Sequence, residues 1–133
     1  METLTKQDEE LLALAKAVIY KNYDGVHYNH TVGAAVRCRN GNMYIGVNVY
    51  SLHGACAEMI ALGNAITAGE RDFECIVAYR GGEDEGVLSP CGNCRQLLST
   101  YMPKGEVILE INGEHKKISV SELLPYAYEV ESE

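Results

Sequence analysis

Apolar residues at Leu11, Leu12, Ala15, Val18 and Ile19 recur at helical spacing between charged and polar neighbours. That period predicts a helix over residues 5–21, opened by Thr5 and Asp8 in the manner of a capping box. The period then changes. TVGAAVRC (31–38) and MYIGVNVY (43–50) flank RNGN, which predicts a hairpin turning at Asn40-Gly41. CAEMIALGNAITAG (56–69) returns to helical spacing and stops at Gly69. FECIVAYR (73–80) is short, apolar and β-branched, as a buried strand requires, and CGNCRQLLSTYM (91–102) reads as a helix ended by Pro103 and Gly105. EVILEI (106–111) is a further strand, HKKISV (115–120) alternates like an edge strand, and SELLPYAY (121–128) is a turn of helix with a tail.

The resulting order, α-β-β-α-β-α-β with one more short strand, favours an α/β fold in which helices cover both faces of a mixed sheet. No internal repeat or linker divides the chain, so a single domain over residues 1–133 is expected.

Charge narrows the partners. With 19 acidic and 11 basic groups the net charge is −8, which repels a phosphate backbone, so no nucleic-acid partner is expected. No apolar run reaches the ~18 residues of a membrane span, and METLTKQDEE is too polar for a signal peptide. A cytoplasmic protein with no membrane partner is therefore expected. In a reducing compartment its five cysteines bind metal or react more readily than they form disulfides.

Three of those cysteines mark helix starts. Cys91 and Cys94 share one turn, and Cys56 opens the other helix, where free N–H groups and the positive dipole end stabilise thiolates. A structural zinc site closes with four protein ligands, whereas a catalytic one keeps a position open for water. Three sulfurs without an obvious fourth ligand therefore point to catalysis. Glu58, one step round the same first turn as Cys56, can reach that open position and carry a proton from it.

C-A-E at 56–58 followed by P-C-x-x-C at 90–94 is the zinc deaminase signature. With N-V-Y at 48–50, L-S-P-C-G-N-C-R-Q at 88–96 and S-E-L-L-P at 121–125, the chain resembles the cytidine deaminase family from about Val32 to Tyr128. Within the family it is most similar to the blasticidin-S deaminase-like subgroup. The resemblance implies a three-layer α-β-α sandwich with a mixed five-stranded sheet and one zinc per subunit, held by Cys56, Cys91 and Cys94. It also implies a small-molecule nucleoside substrate, attacked at C4 of a cytosine ring by activated water. Glu58 would protonate N3 and then the departing ammonia. It further implies a homotetramer in which Tyr128 closes a neighbouring subunit's site, and a sugar-binding role for Asn48.

Three positions depart from the family pattern. Tyr50 stands in Asn48-Val49-Tyr50-Ser51 where cytidine deaminases have a glutamate that also holds ribose. His30 stands where they have an aromatic near the base, and Met59 where many have an arginine beside the thiolates. Tyr50 and His30 thus join Asn48 and Tyr128 as expected substrate-binding residues. Asn93 stands where the subgroup has an arginine.

Plainer readings stand beside these. Cys38 and Cys75 fall in strands and read as packing residues. His27, His53 and His115 read as loop or surface residues, with His53 near the substrate at most. Asn48 could simply satisfy a strand end. Arg95 reads as offsetting thiolate charge or bonding at a subunit interface, and Gln96 as bracing a neighbouring loop. Deamination of another heterocycle or of a nucleic-acid base, and a zinc-stabilised module without catalysis, are the alternative functions.

Overall fold

The structure is a computed structural model describing residues 2–130. Its elements are β1 (Glu2–Thr3), α1 (Lys6–Asn22), β2 (Val32–Cys38), β3 (Met43–Val47), α2 (Ala57–Thr67), β4 (Phe73–Arg80), β5 (Gly86–Leu88), α3 (Gly92–Tyr101), β6 (Glu106–Ile111), β7 (Glu114–Ser119) and α4 (Val120–Leu123). The strands form one sheet in the order β1-β7-β6-β4-β2-β3, with β5 also paired to β4. β4 and β6 run parallel; every other pairing is antiparallel.

The sheet has seven strands where five were expected. The additions are β1, two residues long, and β5, three residues long, both too short to carry an alternating pattern. β5 matters to the site. β6 pairs with β4 at Cys75 and Ile76, and β5 takes over the same edge at Ala78–Arg80, returning the chain alongside β4 to deliver Cys91.

Alternation along the central strands sorts two cores. Ala34, Val36 and Cys38 of β2, with Ile76 and Ala78 of β4, meet Ala57, Ala61, Leu62 and Ala65 of α2 and Leu98 of α3. On the other face Ala35, Cys75, Val77 and Tyr79 meet Leu11, Leu12, Ala15 and Ile19 of α1. Because β2 and β4 are covered on both sides, they read as nearly continuous apolar runs. The expected packing roles of Cys38 and Cys75 hold: both are fully buried.

Gly46 lets α2 lie against β3: a Cβ there would sit 2.5 Å from the backbone nitrogen of Ala61. The capping box at Thr5 and Asp8 is present, but Asp8 does more than cap. Fully buried, it contacts Arg37 Nη2 and Lys117 Nζ, each at 2.9 Å, and Arg37 also reaches Glu74 at 2.7 Å. Burial pushes the Asp8 carboxyl up, but the Thr5 N–H, Lys117, Arg37 and the Thr5 hydroxyl outweigh it and bring it down to about 2. No helix among the described residues is long and apolar enough to cross a membrane.

Candidate active site

Two helix starts converge where β2 begins and β3 ends. Cys56 is the N-cap of α2 and Cys91 the N-cap of α3, both with extended backbone. Cys94, one turn into α3, is fully buried, and its N–H donates to Cys91 Sγ at 3.5 Å. The Cys56 and Cys91 sulfurs lie 3.7 Å apart, and all three sulfurs fall within 4.8 Å of one another. Thiolates at the usual ~2.3 Å from a tetrahedral zinc are about 3.8 Å apart, so this cluster fits that ion without rearrangement. Among the described residues no other group of three or more His, Cys, Asp or Glu side chains is gathered to hold a metal.

Glu58, on the first turn of α2, is buried, with 6% of its surface exposed. Burial raises its carboxyl above the usual range against the pull of its own backbone N–H and the Cys94 thiol. Burial, the Glu58 charge and Cys56 likewise push the Cys94 thiol up. Burial also opposes ionisation of Cys91, but the Cys94 N–H and the neighbouring thiols outweigh it and lower Cys91. The thiolate-favouring groups are thus helix-start N–H groups, and no Lys or Arg lines the cavity.

That cavity, about 390 Å³, has Cys56, Cys91, Glu58, Asn48 and Tyr50 in its wall. It is mainly apolar, with Val32, Val49 and Leu88 among its lining. Over its mouth runs a short loop, residues 50–54, closed at its base by paired Val49 and Ala55 backbones with both hydrogen bonds at 2.9 Å. Gly54 turns this loop at φ 55°, where a Cβ would meet the Val49 carbonyl oxygen at 2.8 Å. Tyr50 and His53 are exposed on the loop and line the cavity.

His30 and Tyr128 lie outside the wall. The His30 ring instead meets the Asn48 carbonyl through Nδ1 at 2.8 Å. Tyr128 projects its side chain into solvent, while Gln96 Nε2 donates to its backbone carbonyl at 2.9 Å. Gln96 thus braces the tail. Arg95 donates to the carbonyls of Pro90 and Leu123 and to Ser89 Oγ at 2.9–3.0 Å, so it ties the loop before Cys91 to the end of α4. Sequence reasoning left out Leu88 and Ser89, which β5 brings to the wall, and weighed Asn93 only as a departure. Three residues of strand give no periodicity to find them by.

Comparison with known proteins agrees with this geometry. A family model described as "Cytidine and deoxycytidylate deaminase zinc-binding region" matches residues 5–110. A blasticidin-S deaminase of Bacillus cereus is 37% identical, with 94% of each chain covered. A cytidine deaminase of Sporosarcina psychrophila is 33% identical over 92% of each. The crystal structure of cytidine deaminase from Burkholderia pseudomallei superposes with a TM-score of 0.76 at 32% identity, covering 94% of this chain and 100% of that one. The chain belongs to the zinc-binding cytidine and deoxycytidylate deaminase family.

Proposed function

We propose that the chain is a zinc-dependent hydrolytic deaminase of free cytosine nucleosides: cytidine, deoxycytidine or analogues of the blasticidin S type. The observation that carries this reading is the convergence of three sulfurs and a buried carboxyl on one cavity. Cys56, Cys91 and Cys94 hold one zinc per subunit. Bound zinc supplies the Lewis acidity that makes water nucleophilic near neutral pH. Glu58 takes a proton from the attacking water and gives it to ring N3 as the C4–O bond forms. It then carries the second proton to the amine as the C4–N4 bond breaks, so the amidine and water become a carbonyl and ammonia.

Asn48 and Tyr50 hold the substrate from the cavity wall. A nucleotide phosphate would find no Lys or Arg there, which favours nucleosides over deoxycytidylate. The exposed Tyr50, Leu52, Tyr126 and Tyr128 side chains suit burial between copies of the chain. A homotetramer with Tyr128 closing a neighbour's cavity is the assembly we infer. Five free thiols suit a reducing compartment, hence the cytoplasm.

The test follows ultraviolet loss and ammonia with cytidine, deoxycytidine, blasticidin S and deoxycytidylate. Glu58→Ala keeps stoichiometric zinc and loses roughly 10²–10⁴ in kcat, whereas Cys94→Ala loses the zinc. Wild-type turnover by Glu58→Ala, or full zinc in Cys94→Ala, overturns the assignment.

A further inference from the structure

Every polar group of Asn48 but one is occupied. Its N–H donates to the Val32 carbonyl at 3.1 Å. Its own carbonyl faces His30 Nδ1 at 2.8 Å, so that nitrogen is the donor. Its side-chain oxygen accepts from the N–H groups of Thr31 at 2.7 Å and Val32 at 3.0 Å. Two N–H donors converging on one atom require an acceptor, which settles the amide orientation: the atom is Oδ1. The His30 side of this clamp is itself held, because the Asp24 carboxylate accepts from the N–H groups of Val26, His27 and Asn29. Only the Nδ2 amine of Asn48 remains, with no partner among the described residues, on a side chain that lines the cavity.

The acceptor side of the cavity is sparse. Glu58 is the one carboxylate in the lining, and it is buried with the cysteines, whereas Asn48 is half-exposed beside the mouth loop. A cytosine ring that brings its C4 edge to Glu58 therefore leaves its N1 substituent, the sugar, beside Asn48.

We propose that this backbone clamp makes Asn48 a donor-only reader of the sugar, so that the pocket selects nucleosides by a hydrogen-bond acceptor at the 3′ position and does not require a hydroxyl proton there. This rests on the deaminase reading above and adds to it the polarity of the sugar contact. Deoxynucleosides whose 3′ oxygen is capped remain substrates in this reading. Those whose 3′ substituent can only donate are rejected.

The experiment uses Asn48→Asp in the full chain. Aspartate keeps one oxygen for the Thr31 and Val32 N–H groups, so the clamp persists, and it replaces the amine with an acceptor. Deoxycytidine, with a hydroxyl that both donates and accepts, is turned over by both enzymes and serves as the reference. The readout is the kcat/KM ratio of 3′-O-methyl-deoxycytidine to 3′-amino-2′,3′-dideoxycytidine. Wild type favours the methoxy compound, Asn48→Asp favours the amino compound, and the ratio moves at least about tenfold between them. Steric effects of the methyl group and general losses in the variant cancel in this comparison. A 5′-amino analogue, carrying the same charge elsewhere, does not share the shift. An unchanged ratio, or equal shifts for the 3′- and 5′-amino compounds, overturns the inference while leaving the deaminase reading intact. Wild-type inactivity on deoxycytidine and every other cytosine nucleoside overturns both.

Discussion

Arg95 shows how one residue joins the site to the fold. Its planar guanidinium serves three acceptors at once, on Pro90, Ser89 and Leu123. A lysine cannot reproduce that fork. Arg95→Ala is expected to lower stability by about 2 kcal/mol and to weaken zinc retention against a chelator, because the Ser89–Pro90 loop sets Cys91. Arg95→Lys should recover only part of either loss; full recovery by lysine would show that charge alone matters. At this scale the sequence was informative wherever the signal was local. Cys56, Glu58, Cys91 and Cys94 were legible because their spacing within single helical turns fixes their geometry. His30 was placed on the substrate, but it meets Asn48, 18 residues away along the chain, and no local pattern encodes that partnership. The oxygen of Asn48 does satisfy a strand start, so the plain reading and the functional one hold for different atoms of the same side chain.

Among elements, α2 matters most because it carries Glu58 and starts at Cys56. Its seat depends on Gly46, whose missing side chain admits the helix backbone. Gly46→Ala is expected to cost about 1–3 kcal/mol through overpacking, read as a lowered denaturant midpoint. Activity per folded molecule should fall with it, since α2 must move outward and take Glu58 along. A variant of wild-type stability and turnover would show that the helix yields at no cost. The helices and long strands were legible from period alone, and the layers on both faces followed from their order. What the period hid was β5. Its three residues follow the polar GGEDEG stretch and become a strand only because β6 leaves that edge of β4 free.

Across the whole molecule, the chemistry and the charged core lie toward opposite ends of β2. Val32 lines the cavity, whereas Arg37, five residues on, enters the ion cluster; at ~3.3 Å per residue that separation is about 17 Å. The two should therefore fail separately. Asp8→Asn leaves Arg37 and Lys117 without their shared buried carboxylate and is expected to cost about 3 kcal/mol at pH 7, with zinc content unchanged in the folded protein. The pH dependence has a fixed sign. Folded Asp8 titrates near 2, below the ~3.9 of an unfolded chain. Its contribution is therefore complete above about pH 4 and disappears as the pH falls towards 2. Urea unfolding across that window should show a steeper loss for wild type than for Asp8→Asn; parallel curves would remove Asp8 from the account. The sequence gave no hint of this cluster, because residues 8, 37, 74 and 117 meet only once the sheet is assembled.

The loop over the cavity mouth has a consequence on another timescale. Because the Val49 and Ala55 backbones close it at its own base, residues 50–53 hang from the sheet without being woven into it. So long as Gly54 keeps its turn, these positions are free to mutate while the cysteines and Glu58 stay under constraint. Lineages sharing one reaction can thus diverge in the compounds they accept by rewriting four residues, with the fold left unaltered.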